Sequence, residues 1–121
     1  VTDELAPATA VSAASLTIPL EPTTAHPDAP CAGFLPLATM GGCEVGVWEH
    51  SVGTSTDVEE DEVFVVLSGS ATICLEDHTE LVVRAGDLVR LAAGMRTTWT
   101  VHHTLRKVYV SLDANPATAG A

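Results

Sequence analysis

From Glu44 onward the chain alternates short valine-rich runs with clusters of turn residues, and no helical period of useful length appears. Runs of this kind at regular spacing are the pattern of a β-sandwich or barrel. Strands are predicted over 44–50, 62–67, 70–76, 80–84, 87–91, 97–101 and 106–112. Between them stand Gly53, Ser68-Gly69, Asp77-His78, Ala85-Gly86 and Ala93-Gly94, the residue types that tight turns favour. Residues 1–30 have a different texture. They are rich in Ala, Thr, Ser and Pro, and Pro7, Pro19, Pro22, Pro27 and Pro30 interrupt any long element. That stretch reads as an N-terminal arm, partly extended, pairing with a sheet edge around Leu16–Leu20. The barrel then spans 31–114, and 115–121 form a flexible C-terminal tail.

Composition supports an all-β domain. Trp48, Trp99, Phe34, Phe64 and Tyr109 are the whole aromatic set, so Val, Thr and Ala must fill most of the core, and such a core suits strands. At 121 residues there is enough chain to bury one core without staples. A net charge of −11 would repel nucleic acid and anionic membrane surfaces, so neither is expected as a partner. Cys31, Cys43 and Cys74 are odd in number and lack a CxxC spacing, which implies neither a disulfide framework nor a thiolate metal site. A reducing cytoplasm suits them. No apolar run approaches the ~20 residues of a membrane span. The first residues carry no positive charge ahead of an apolar stretch, so no retained leader is expected.

Two stretches are more specific. Glu62-Val63-Phe64-Val65-Val66-Leu67-Ser68-Gly69 places a turn glycine seven residues after a Glu, and Ala85-Gly86-Asp87-Leu88-Val89-Arg90-Leu91-Ala92-Ala93-Gly94 follows. Together they resemble the two linked motifs of the cupin superfamily (RmlC-like), successive hairpins of a jelly-roll barrel or double-stranded β-helix. Val47-Trp48-Glu49, Asp61-Glu62, Gly86-Asp87, Ala93-Gly94, Thr98-Trp99 and Arg106-Lys107-Val108-Tyr109-Val110 occur in the order of the ureidoglycine-aminohydrolase-type cupin domain family, which they resemble over residues 45–112. The resemblance implies a single-domain cupin with an N-terminal arm. It also implies a homodimer, since cupins commonly pair through sheet edges.

The resemblance further implies where a metal would sit, because metal-dependent cupins use a His-x-His pair before the Glu and a third His after the PxG turn. Here those places hold Ser55 and Asp57 (Thr56 and Val58 in the other register) and Thr97, which leaves only Glu62. No metal or other cofactor is therefore expected, the one alternative being an unusual divalent-metal site from Asp57, Glu62 and one histidine. His102 and His103 are neighbours on a strand and face opposite sides, so they cannot share a pocket. His26, His50 and His78 are isolated in sequence. In the cupin register Thr97, Trp99 and Val101 point inward, with Glu62 and Phe64 on the opposite wall. Of Trp48 and Glu49 only one can face in. Lys107, Tyr109 and Ser111 share a face opposite Arg106, Val108, Val110 and Leu112. An apolar set is normally the buried one, which would turn Lys107 outward, although the resemblance keeps it as a signature residue. The acidic run Glu59-Glu60-Asp61-Glu62 reads as a solvated turn except for Glu62, whose inward carboxylate needs a cationic partner or a raised pKa.

The candidate catalytic residues are thus Glu62 and Lys107. The candidate substrate contacts are Trp48, Glu49, Asp57, Phe64, Arg96, Thr97, Trp99 and Tyr109, of which the two tryptophans would serve equally as core. Three functions fit. One is a metal-independent small-molecule cupin performing proton transfer, isomerisation or hydrolysis on a polar metabolite. Another is a binding or accessory module without chemistry. The third, implied by the family resemblance, is a metal-dependent aminohydrolase or dioxygenase acting on a ureido-type compound. A carboxylate at an inward position inclines the choice towards an enzyme.

Overall fold

A computed structural model describes residues 4–112. Eight strands form: β1 (Glu21–Pro22), β2 (Cys31–Met40), β3 (Cys43–His50), β4 (Gly53–Val58), β5 (Glu62–Leu75), β6 (Glu80–Arg84), β7 (Leu88–Leu91) and β8 (Arg96–Leu112). All pairings are antiparallel, in the order β1-β2-β3-β8-β5-β6, with β4 on β8 and β7 on β5. The chain is an all-β jelly roll.

The long strands β5 and β8 make the fold. Their outer halves, Glu62–Ser68 and Arg106–Ser111, join β3, β2 and β7 in one sheet; their inner halves, Ala71–Leu75 and Thr97–Val101, join β4 and β6 in the other. Between the two halves the register shifts repeatedly, from Val66 to Ala71. Gly69 makes that corner possible. Its φ is +85°, and a Cβ there would collide with the carbonyl oxygen of Thr104. The sequence turn expected at Ser68-Gly69 is therefore a bend within one strand, and the two strands expected over 97–112 are likewise one.

The core lies between the sheets: Phe64, Val66, Ala71, Ile73, Val83, Val89, Leu91, Trp99, Val101, Leu105 and Tyr109. A second apolar cluster sits on the outer face of the β2-β3-β8 sheet, where Leu5, Val11, Ala13, Leu16 and Ile18 of the arm cover Leu35, Leu37, Val47 and Val108. The arm pairs with the sheet edge at Glu21 and Pro22, opposite Ala32 and Cys31, rather than over Leu16–Leu20, whose side chains pack instead. The expected tail at 115–121 lies outside the described residues.

Two strands escape the sequence pattern. β2 carries Pro36 and a bulge between Pro36 and Ala38, which break its alternation. β4 is Gly-Thr-Ser-Thr-Asp-Val, and its polarity reads as a loop. Glycine turns finish the frame. Asp87 Oδ2 accepts the Arg84 N–H at 2.9 Å, so the Gly86-Asp87 pair closes the β6–β7 turn.

Candidate functional site

Alternation along three paired strands builds the site. Register places Trp48 beside Lys107 beside Val66, Gly46 beside Tyr109 beside Phe64, and Glu44 beside Ser111 beside Glu62. Glu44, Trp48 and His50 share the inward face of β3, and they line a cavity of about 580 Å³ with Ser55, Asp57, Glu59, Glu62, Trp99, Lys107 and Tyr109. Gly46 faces Tyr109 closely enough that a side chain there would strike the phenol, and this gap lets the Tyr109 hydroxyl reach Glu44 Oε2 at 2.8 Å.

Lys107 faces in, and is only 4% exposed. The expectation that Val108, Val110 and Leu112 form the buried face is corrected: Lys107, Tyr109 and Ser111 are buried, whereas Val110 and Leu112 are each 42% exposed and Val108 lies under the arm. The inward face is polar because it bounds a cavity. Lys107 Nζ donates to Glu62 Oε2 at 2.6 Å and lies 4.1 Å from the Phe64 ring centre, 4.5 Å from Trp48 and 4.9 Å from Trp99. An ammonium held against three ring faces and one carboxylate is stabilised by both, and its desolvation is offset. Glu62 thus has the cationic partner that an inward carboxylate needs.

Glu59 is the largest omission from the sequence reading, which placed it in a solvated turn. It is 7% exposed. Its backbone is clamped to the Ala93-Gly94 turn by Glu59 N–H to Met95 O at 2.8 Å and Gly94 N–H to Glu59 O at 2.9 Å. Its Oε2 accepts the Thr97 hydroxyl at 2.6 Å and the Trp99 indole N–H at 3.0 Å. No local sequence signal marks it. Glu44 and His50 were findable, since both have the parity of Trp48 on one strand.

The other candidates divide. Trp48, Asp57, Trp99 and Tyr109 line the cavity, Phe64 lies beneath Lys107, and Thr97 holds Glu59. Glu49 alternates to the outer face and binds Arg106, while Arg96 is exposed and borders a separate hollow with Glu76 and His78. His102 and His103 are both exposed, bonded to Thr72 and Ser70. His50 is buried, with Nδ1 2.6 Å from Ser51 O and Nε2 2.8 Å from Ser55 Oγ.

Electrostatics follow from this packing. Burial, and to a smaller extent the charge of Lys107, lower the His50 pKa against the opposing pull of the Ser51 carbonyl, which favours the neutral ring. Loss of solvent and the Glu59 carboxylate raise Asp57. Burial and the Glu44 carboxylate push Tyr109 far up, so it remains a phenol that donates. Glu21, Glu44, Asp57, Glu59, Glu60 and Glu62 border the cavity, against Lys107 as its cation.

The His-x-His and third-His positions of metal-dependent cupins hold no histidine in this chain. The ligand positions of metal-dependent cupins carry Ser55, Asp57 and Thr97, the Glu62 carboxylate already holds an ammonium, and both His50 nitrogens are engaged. Among the described residues no three His, Cys, Asp or Glu side chains converge as metal ligands.

The family model of the EutQ-like cupin domain matches residues 37–109. The fold is similar to that of an ethanolamine utilization protein Q from Salmonella typhimurium (22% identity, 70% of this chain and 72% of that one, TM-score 0.63). It is also similar to the EutQ protein of Clostridium difficile (20% identity, 71% of each chain, TM-score 0.64). A DUF861 family protein from Thermotoga maritima shares 31% identity over 52% of this chain and 73% of its own, with a TM-score of 0.50. No curated protein matches the sequence.

Proposed function

The chain belongs to the EutQ-like cupin domain family, and from that premise we propose that it binds a small neutral or cationic metabolite rich in N–H or O–H donors and moves a proton on it through Glu62 and Lys107. The observation that carries this reading is the Lys107–Glu62 pair, 2.6 Å apart within three aromatic rings at an acidic cavity. Glu62 accepts the proton, and the Lys107 ammonium beside it balances charge that develops on the substrate. The low-dielectric aromatic surround strengthens both effects.

The substrate class follows from the free edges of the carboxylates. Hydrogen bonds from Thr97, Trp99, Lys107 and Tyr109 all fall on the Oε2 atoms of Glu59, Glu62 and Glu44. Among the described residues no buried side-chain N or O lacks a partner, and none of these hydrogen bonds falls on the three Oε1 atoms, which supports reading them as acceptors for a ligand in the cavity. Amines, amidines and ureas present the matching donors, and small carboxylates are repelled. Ethanolamine, after which the Salmonella relative is named, is a compound of this kind. A ureido-type substrate, as in the ureidoglycine-aminohydrolase type of cupin, is a second reading favoured by the same three acceptors.

A thermal-shift panel tests this reading. Ethanolamine, guanidinium and N-methylurea should raise Tm in the wild-type protein, whereas acetate and lactate should not. Glu62→Gln should abolish the response. A response to carboxylates instead would overturn the assignment. A shift with no turnover of any bound compound would reassign the domain as a binding module.

A further inference from the structure

His50 closes β3 and is 1% exposed, and Ser55 lies on the edge strand β4, directly opposite Trp99 in the register. Both line the cavity, and neither has a part in the proton chemistry of Glu62 and Lys107. Their bonding fixes the tautomer. The Ser51 carbonyl, 2.6 Å from Nδ1, can only accept, so Nδ1 carries the hydrogen. Nε2 is then a bare lone pair, and the Ser55 hydroxyl 2.8 Å away must donate to it. A hydroxyl donating to an imidazole whose other nitrogen is held by a fixed acceptor is the arrangement that activates a serine. Here a backbone carbonyl takes the place of the usual third carboxylate.

We propose that His50 and Ser55 form a base–nucleophile pair, making Ser55 reactive towards the acyl carbon of a small ester, amide or carbamoyl compound held in the cavity. The inference rests on the reading of that cavity as the substrate site. Ser55 Oγ bonds to the carbonyl carbon as its proton passes to His50 Nε2. The tetrahedral centre collapses, the bond to the leaving alcohol or amine breaks, and that group takes the proton from Nε2. Water then attacks the acyl-serine, giving its proton to Nε2, which returns it to Ser55 Oγ as the acid departs. Lys107 is a positive charge on the same cavity wall: its ammonium lies 4.5 Å from the Trp48 ring centre, and His50 packs on that same ring at 5.4 Å. Burial keeps His50 unprotonated, the state a base requires.

The test is covalent labelling of the full chain with diisopropyl fluorophosphate at neutral pH, read by intact mass and peptide mapping. One phosphoryl adduct per chain on Ser55 is expected. It should be absent in Ser55→Ala and slower by about a hundredfold in His50→Gln. Ser55 is only half-buried, so its alanine variant keeps the fold. If His50→Gln fails to fold, the ¹⁵N shifts of the wild-type ring decide instead: hydrogen on Nδ1 is expected, and hydrogen on Nε2 overturns the proposal. A wild-type chain with Ser55 unlabelled also overturns it. The two readings fail separately. An unlabelled Ser55 with amine binding intact sinks only the nucleophile, whereas a labelled Ser55 with no amine binding sinks only the proton-transfer reading.

Discussion

Arg106 and Lys107 are chain neighbours that point to opposite faces of the same sheet, and each has a glutamate partner. Outside, Arg106 binds Glu49 Oε1 through Nε at 2.9 Å and Nη2 at 2.7 Å, and its Nη1 also donates to the carbonyls of Ala13 and Leu16. Inside, Lys107 donates to one oxygen of Glu62 and lies over three rings. The planar guanidinium has enough donors in fixed directions to fasten a separate segment of backbone. A point-charge ammonium does not. The outer pair holds the arm on the sheet; the inner pair is the one the proposed proton transfer uses.

That contrast gives its largest effect when each pair is neutralised. Arg106→Met with Glu49→Gln leaves two arm carbonyls without their donor and frees the arm, so stability should fall by about 3 kcal/mol. Urea melts should show it, and limited proteolysis should cut within residues 5–20, while ethanolamine still shifts Tm. Lys107→Met with Glu62→Gln removes the inner charges together and leaves Met sulfur against the rings. It should stay within about 1.5 kcal/mol of wild type by the same melts, with the ethanolamine response gone. Equal losses at the two sites would erase the distinction.

Tyr109→Phe sharpens the picture of the cavity wall. It removes the donor to Glu44 without changing packing, and should cost about 1 kcal/mol in a chemical melt. The smallest effect is in acid. The native pKa of His50 lies below its ordinary value of about 6.5. The unfolded chain therefore binds the proton more readily, and stability falls as pH drops below 6.5 towards the native value. His50→Gln should flatten that part of a Tm-against-pH curve. Asp57 acts in the opposite sense: its raised pKa contributes stability at low pH that is lost as pH rises through the native value.

The same two faces explain what could be read from the sequence. The strand at 80–84 stands out because its Leu81 and Val83 face packs on the core in the ordinary way, and that at 44–50 because Val45, Val47 and Trp48 carry the valine-rich strand pattern, although the arm is what covers Val47. The cupin register implied by the resemblance, carried along each strand by alternation, placed Thr97, Trp99 and Phe64 inward. Alternation misled over 106–112, because Val108 is buried by an arm distant in sequence and the cavity side is polar by purpose. β4, with Ser55, carries no apolar face at all, since it is an edge strand looking onto that cavity. Glu59 is buried by a backbone clamp from a turn about thirty-five residues later, a tertiary effect that no local pattern records.

The most direct test is a calorimetric titration of ethanolamine into wild type, Lys107→Met/Glu62→Gln and Arg106→Met/Glu49→Gln. Binding by wild type and by the outer-face variant, with none by the inner-face variant, is the result predicted. Binding that survives loss of Lys107 and Glu62, or that vanishes with Arg106 and Glu49 while the fold persists, would contradict the account.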